Sequence, residues 1–331
     1  MVLPVFFLFA AIAVSETAPA PNQYLVPTAD PSVQRAGQLL NANQPSQALN
    51  LLRAAIERHP RDPGVLLLAG LAAHRSDQLH AALGYWSQSL DLAPDNAALN
   101  AIYRDAQREA AADRSGARLY SPHIALRYEN AAIPADAARS VLATLEEDYS
   151  RISAQLGCSP GERIVAIVQS REQYLRGTAA AEWSGGHYDG RIHVAWSASE
   201  PGEPGIGPRI KRALAHELVH ACLMSLPSGS HPWPVWLQEG LAQKLSGDTL
   251  QLAVREQLRR LAVTHALPRL ESLDQDWFSL PREQAVASYN LSLAAADALF
   301  DDYASHGILK ILTNPETLPQ ITADLDAKLG L

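Results

Sequence analysis

Apolar residues recur at helical spacing over most of the chain. Between residues 135 and 156 they recur at every third or fourth position, which predicts an amphipathic helix over that segment. Residues 123–129 alternate between apolar and polar, as in a strand with one buried face. Residues 163–169 have the apolar character of a buried strand. After residue 196, helical patterns dominate to the C-terminus.

Residues 183–196, WSGGHYDGRIHVAW, contain three glycines and then an alternating pattern. They predict a glycine turn followed by a hairpin or an edge strand. A small sheet followed by helices predicts an α+β fold for residues 120–331.

Residues 32–96 contain an internal repeat with a period of 34 residues. The matching pairs are Ala48 and Ala82, Leu49 and Leu83, and Pro60 and Pro94. This segment resembles tetratricopeptide repeats, in which each unit is a helix pair of that length. Small alanines let the helices approach, proline ends each second helix, and Gly70 lies where close packing is expected. A further helix at 97–114 would cap the stack, giving an all-α array over residues 32–114.

Two roles for this short array stay open. Its concave groove could bind a partner protein, as longer arrays do. Alternatively, the array is a structural arm that packs on the following domain.

Composition narrows the classes of function. The chain has 331 residues, enough for two domains, and 47% of them are hydrophobic, as in a globular protein. The formal charge is −8, and no basic stripe is apparent. Nucleic acid is therefore not an expected partner.

The N-terminal segment resembles a secretory signal peptide. Its apolar run, residues 2–14, is shorter than the about 20 residues of a membrane-spanning helix. Residues 13–15 form a small-residue cleavage site, and residues 18–20 are a poorer alternative because Pro21 follows. No Lys or Arg precedes the run. We expect a signal peptide at 1–15 or to 20, a linker at 16–31, and export to the periplasm or beyond without a stable membrane span.

The chain has two cysteines, Cys158 and Cys222, which excludes a disulfide-rich scaffold and a cysteine-based zinc ribbon. One disulfide between them is an option outside the cytosol. The sequence favours the other interpretation, two small buried hydrophobic side chains.

The stretch AHELVH, residues 215–220, places two metal-ligand side chains one helical turn apart. His216 and His220 fall about 40° apart on one face of a helix, with Glu217 on its flank. The opposite face carries Leu214, Leu218 and Ala221. Cys222 points away from His220, so it is not expected to bind the same metal. A surface helix with two histidines is the alternative.

The stretch WLQEGLAQ, residues 236–243, supplies a candidate third ligand. Glu239 follows His220 by 19 residues, enough for a turn at 226–234 and a second helix beside the first. A glutamate between Leu237 and Leu241 is expected to face inward and to need a charge partner. Two histidines and a glutamate, with one position left open, are a ligand set of catalytic zinc.

Together, HELVH and WLQEGLA resemble the gluzincin metallopeptidases, and most closely the peptidase MA-like domain often found beside tetratricopeptide repeats. EWSGGHYDGRIHV resembles the glycine turn and strand of that group. Residues 288–312 resemble its C-terminal helix with a Y-x-x-S pattern. The resemblance covers most of residues 120–315 and implies a zincin-like domain that cleaves a peptide or protein substrate.

The resemblance also implies roles for individual residues. One Zn²⁺ per chain would be bound by His216, His220 and Glu239, with water at the fourth position and Glu217 as the general base. Tyr289 would donate a hydrogen bond to the oxyanion; the alternative is a core tyrosine packed on Leu293. His231 is a rival donor.

Gln243 departs from the acidic residue that many gluzincins have in that region. Its side-chain carbonyl could accept the second N–H of a ligand histidine. An edge strand within residues 188–196 could pair with the substrate backbone or merely complete the sheet. The side chains of Trp183, Trp233 and Trp236 could line substrate pockets or belong to the core.

Other functions remain open. The domain could be catalytically retired or hold a structural zinc ion, with the repeats as the working interaction surface. The intact Glu217 argues against that hypothesis, because a retired enzyme has no chemical need for the base. A non-peptidase hydrolase on the same scaffold is a third option.

Overall fold

The computed structural model describes residues 30–114, 116–178, 180, 182, 184–197, 206–227, 233–264, 267–273, 277 and 280–329. The expected signal peptide and nearly all of the linker lie outside the described residues. So do two of the candidate site residues, Trp183 and His231.

Five helices form the N-terminal part of the chain: α1 (Pro31–Asn41), α2 (Pro45–Arg58), α3 (Pro63–Arg75), α4 (Leu79–Leu92) and α5 (Ala97–Ala112). Three of them begin at capping side chains, because Asp30, Asp62 and Asn96 accept hydrogen bonds from the first free backbone N–H groups. Each helix packs on the next one along the chain, and their apolar faces share one core.

The close packing expected at Gly70 is present. A Cβ atom at this position would overlap the indole ring of Trp86, which lies directly over the glycine. The Trp86 Nε1–H group donates to the carbonyl oxygen of Leu67 at 3.1 Å. Glycine in α3 thus allows a buried tryptophan of α4 to contact the α3 backbone.

A mixed five-stranded sheet follows, with strands β1 (Ala117–Tyr120), β2 (Ile124–Tyr128), β3 (Ile164–Ser170), β4 (Gly186–Tyr188) and β5 (Ile192–Trp196). The strand order is β1-β2-β3-β5-β4. β2, β3 and β5 are parallel, whereas β1 and β4 pair antiparallel with their neighbours. The strands predicted at 123–129 and 163–169 are confirmed as β2 and β3, and the predicted hairpin is formed by β4 and β5.

The position of the edge strand differs from one expectation. β5 contains most of residues 188–196, yet it is an interior strand, because it pairs with β3 on one side and β4 on the other. At this end of the sheet the edge is the three-residue strand β4, and β1 is the edge at the other end. The β4–β5 turn places β4 outside β5. Alternation in the sequence alone does not indicate which strand of a hairpin pairs with the rest of the sheet.

The remaining helices are α6 (Ala135–Leu156), α7 (Arg171–Thr178), α8 (Pro208–Met224), α9 (Val235–Ser246), α10 (Leu252–Val263), α11 (Arg282–Thr313) and α12 (Leu318–Leu329). α6 has the predicted bounds, and α11 is interrupted by non-helical backbone at Ala304. In the described part of the chain, none of the helices has the length and apolarity needed to cross a bilayer. The fold is α+β, as predicted.

One face of the sheet carries the second apolar core. Tyr188, Ile192 and Val194 join side chains of α6, α8, α9, α11 and α12 in this core. Successive side chains of a strand point to opposite faces. His187 and His193 therefore lie on the other face of the sheet, where the His187 ring is near Tyr174 of α7.

Cys158 and Cys222 form a disulfide, with their Cα atoms 5.4 Å apart. The interpretation as two separate buried thiols is therefore wrong. The reason is tertiary: α6 and α8 pack together, and this brings the residue after the α6 C-terminal glycine beside the last turns of α8. The disulfide thus fastens α8 two residues after His220.

Candidate metal centre

The three predicted ligands converge on one point between α8 and α9. His216 Nε2 lies 3.2 Å from Glu239 Oε2, and His220 Nε2 lies 3.6 Å from Glu239 Oε1. The two imidazole centroids are 5.0 Å apart. One ligand atom from each residue falls within 4.8 Å of the others. Glu239, 19 residues after His220 in sequence, thus joins the two histidines in one cluster with the chemistry of a metal site.

Two local features bring α9 to this place. The chain between α8 and α9 is short enough to keep the helices side by side. Gly240, next to Glu239, lets α9 press against α11, because a Cβ atom there would overlap the carbonyl oxygen of Ser292. The glycine next to Glu239 therefore allows the helix that carries this side chain to lie close to α11.

The cluster is buried and holds unpaired polar atoms. His216, His220, Glu217 and Glu239 are each at most 1% exposed. Both ring nitrogens of His220 and both carboxylate oxygens of Glu217 lack a hydrogen-bond partner in the described part of the chain. Buried polar groups normally have partners. Four such atoms beside a glutamate fit a divalent cation, which would satisfy imidazole nitrogens and compensate carboxylate charge together.

The electrostatics of the cluster point the same way. Burial raises the pKa of Glu217 well above its usual value, and the neighbouring Glu239 raises it further. Burial also raises the pKa of Glu239, although contact with His216 opposes the shift. Burial and His216 lower the pKa of His220. The protein alone therefore disfavours charge on these groups, and a bound cation would restore the charged carboxylates.

Gly186 of β4 lies against Glu217. A Cβ atom at Gly186 would be 2.9 Å from Glu217 Oε1 and 3.0 Å from the His193 carbonyl oxygen. Glycine therefore leaves the space that the Glu217 carboxylate occupies. The sequence showed the Gly185–Gly186 pair only as a turn signal, so this contact could not be predicted from it.

Tyr289 lies on α11 close to the ligand helix. Its carbonyl oxygen accepts a hydrogen bond from Gln243 Nε2 at 3.0 Å, one turn after Glu239. Its side chain is buried, and the ring packs edge-on against Trp277 with centroids 4.6 Å apart. The oxyanion role of Tyr289 stays a prediction.

Gln243 ties two helices together. Besides the bond to Tyr289, its Nε2 donates to the Glu239 carbonyl oxygen at 3.2 Å. The amide thus joins α9 to α11 one turn after Glu239. Acceptance of a histidine N–H by the Gln243 side-chain oxygen stays a prediction.

The two described tryptophans near the cluster belong to the core. Trp233 and Trp236 are both buried within the apolar cluster that contains α8 and α9. Trp233 Nε1–H donates to the carbonyl oxygen of Leu223 at 3.1 Å. This favours the packing interpretation over a substrate-pocket role for these two side chains.

On the opposite face of the sheet, buried charges join the array to the β4–β5 hairpin. Arg191 of the turn is fully buried and donates from both terminal nitrogens to the Glu109 carboxylate of α5, each at 2.8 Å. It also donates to Asp189 Oδ2 at 2.7 Å and approaches His74 Nε2 of α3 at 2.6 Å. No spacing pattern indicates this network, since its members come from distant elements.

Charge pairing controls the ionisation of this network. Burial would raise the pKa of Glu109, but Arg191 and His74 outweigh it and hold that pKa well below its usual value. Burial would also raise the pKa of Asp189, but Arg191 and His193 outweigh it and hold that pKa well below its usual value. Burial lowers the pKa of His187 to about 3, with His193 adding to the shift. The carboxylates are therefore charged and His187 is neutral near pH 7.

Neither the models of known protein families nor the curated proteins match this chain. The functional argument therefore depends on the chain's own residues. These define an α+β protein with an N-terminal helical array and a buried cluster of two histidines and two glutamates.

Proposed function

We propose that the chain is a zinc-dependent metallopeptidase of the gluzincin type, built on a peptidase MA-like domain behind a tetratricopeptide array. One observation carries the proposal: His216, His220 and Glu239 meet around one point, and Glu217 lies beside them with both carboxylate oxygens unpaired in the described structure. A structural zinc site needs ligands only. A hydrolytic site also needs a general base beside the ligands.

The chain's own residues divide the work. His216, His220 and Glu239 would hold the zinc ion. When bound, zinc lowers the pKa of a coordinated water to about 7 and polarises a carbonyl oxygen. Glu217 accepts the proton of the attacking water and returns it to the leaving amine nitrogen. Tyr289 stabilises the oxyanion through its hydroxyl group.

The edge strand β4 gives the substrate a place to bind. Its outer side has no neighbouring strand in the described sheet, and the strand contacts α8. An extended peptide can pair with such an edge through backbone hydrogen bonds. The substrate would then run past Glu217, which touches Gly186 of the same strand.

The array has a structural part in this proposal, and its groove is a candidate surface for a protein partner. The buried contact of Arg191 with Glu109 and His74 supports the role of the array as a structural arm that packs on the following domain. We place the protein in the periplasm or outside the cell. The Cys158–Cys222 disulfide supports export, since such bonds persist in oxidising compartments.

The second candidate function is a structural zinc protein whose array is the working surface. The burial of the ligand set favours it, because His216, His220 and Glu239 are at most 1% exposed and a closed site is typical of structural zinc. The two candidates differ in whether one coordination position accepts an added ligand.

The proposal is tested with zinc-loaded full-length chain and a library of internally quenched peptides. We expect cleavage that a chelator abolishes, that zinc restores, and that His220→Ala lacks. A Co²⁺-substituted sample should change its visible spectrum when a hydroxamate is added, because an open position can accept that ligand. Bound metal with no cleavage and no spectral change would favour the structural candidate instead.

Gly186→Ala should lower kcat/KM for a cleaved peptide by about a hundredfold, since a displacement near 1 Å at a catalytic group can cost that much. The new methyl group pushes on Glu217 while the zinc ligands stay in place. Gly185→Ala is the matched control, because its Cβ atom would have no neighbour within 4 Å. Equal kcat/KM values for both variants would contradict this placement of Glu217.

A further inference from the structure

A second cluster of metal-ligand side chains lies on the far face of the sheet from the Glu217 site. His187, Asp189 and His193 all belong to the β4–β5 hairpin, and one ligand atom from each falls within 4.8 Å of the others. The two histidines are direct partners across the hairpin. Their rings stack with centroids 4.4 Å apart and planes 17° apart. The hairpin alone therefore brings these three side chains together.

The histidines carry buried nitrogens without partners. His187 is 5% exposed and His193 is 1% exposed. His187 Nδ1 and both ring nitrogens of His193 lack a hydrogen-bond partner within the described residues. His193 Nε2 lies 3.3 Å from Asp189 Oδ2, outside good hydrogen-bond geometry. Core histidines that only pack would be expected to have their N–H and lone pair satisfied.

The surrounding charge does not exclude a cation. Asp189 and Glu109 flank the single charge of Arg191, which leaves one negative charge in that group. The next group, Arg118 and Arg127 with Asp77 and Asp113, is neutral, and the buried Arg75 beside Gly190 adds one positive charge. Asp189 accepts from the Arg191 backbone and Nε through Oδ1, and from an Arg191 terminal nitrogen through Oδ2 at 2.7 Å, so a metal at Oδ2 would share that oxygen with the guanidinium.

We propose that His187, Asp189 and His193 bind a divalent transition-metal ion, with Zn²⁺ the first candidate. Two imidazoles and a carboxylate suit zinc and its neighbours better than Ca²⁺ or Mg²⁺, which prefer oxygen ligands. A water would complete the set. The site is separate from the His216 cluster and does not depend on the proposed hydrolysis.

The position of this site gives it a structural role. β4 has His187 on the face toward the array and Gly186 on the face toward Glu217. A metal held by the hairpin, with His74 of α3 beside it, would fix the edge strand between the array and the Glu217 site.

Metal content of the full-length chain tests the inference. Each sample is equilibrated at the same chelator-buffered free zinc, desalted, and measured by inductively coupled plasma mass spectrometry. We expect His187→Gln to bind one zinc fewer than the wild type. His123→Gln is the control, because His123 is an exposed histidine paired with Glu146, and it should keep the wild-type count. Circular dichroism confirms that each chain is folded.

Glu239→Ala separates this inference from the proposed function. A zinc ion that remains in Glu239→Ala and is lost in the double variant with His187→Gln supports the hairpin site, whatever happens to hydrolysis. If His187→Gln does not fold, X-ray absorption of a zinc-loaded chain that carries His216→Ala, His220→Ala and Glu239→Ala decides: two imidazole ligands support the site. Wild-type zinc content in a folded His187→Gln chain, or no zinc in Glu239→Ala, overturns it.

Discussion

Glu217→Gln is expected to lower peptide hydrolysis by about 10²–10⁴-fold, the usual contribution of a general base. The amide has the same shape as the carboxylate but cannot take a proton from water. The three metal ligands are other residues, so the variant should keep its zinc. The measurement is kcat/KM on the peptide cleaved by the wild type, together with zinc content of the same sample.

Glu172→Gln serves as the control for this substitution. Glu172 is an exposed glutamate of α7 paired with Arg176, so its loss should leave both hydrolysis and zinc content unchanged. Wild-type kcat/KM in zinc-loaded Glu217→Gln would show that the proposed mechanism is wrong.

Glu109→Gln should reduce the free energy of unfolding by about 3–5 kcal/mol at pH 7, the usual cost of removing one partner from a buried ion pair. Arg191 has no exposure to solvent and donates to both oxygens of the Glu109 carboxylate. A neutral amide removes one of the two carboxylates paired with that buried guanidinium and cannot accept from both of its terminal nitrogens. Urea denaturation of both chains measures the difference.

The Glu109–Arg191 pair also makes the free energy of unfolding depend on pH. The pKa of Glu109 is lower in the folded chain than its usual value, so the folded state resists protonation that the unfolded chain accepts. Its stabilisation is therefore fully present above the usual glutamate pKa of about 4.3 and is lost as the pH falls through the folded-state pKa. The difference in the free energy of unfolding between wild type and Glu109→Gln should therefore become smaller below about pH 4.

Asp105→Asn is the matched control on the same helix. Asp105 pairs with Arg108 at the exposed surface of α5, so its replacement should change the unfolding free energy by less than about 1 kcal/mol. A Glu109→Gln chain as stable as Asp105→Asn would contradict the role given to the buried pair.

Local sequence patterns were sufficient to predict most of the long helices and the central strands. Apolar spacing predicted α6 with its bounds, and alternation predicted β2, because both reflect one buried face of a regular element. The predicted convergence of His216, His220 and Glu239 also depends on local rules: one helical turn, a short connection and an inward glutamate. These arguments need no knowledge of distant parts of the chain.

Features that depend on tertiary neighbours could not be predicted in this way. The Cys158–Cys222 disulfide requires α6 to lie on α8, and the edge position of β4 requires β5 to pair with β3. The contact of Gly186 with Glu217 needs the hairpin and α8 together. The burial of Arg191 needs the array beside the sheet. Single-sequence periodicity contains none of these pairings.

The most direct test of the central claim is the zinc content of wild type and Glu239→Ala, purified and measured side by side at equal buffered free zinc. Glu239 supplies the carboxylate that both ligand histidines face. The account predicts that folded Glu239→Ala holds one zinc ion fewer per chain than the wild type. Equal zinc content in the two chains would contradict a metal centre at His216, His220 and Glu239, and with it the proposed metallopeptidase.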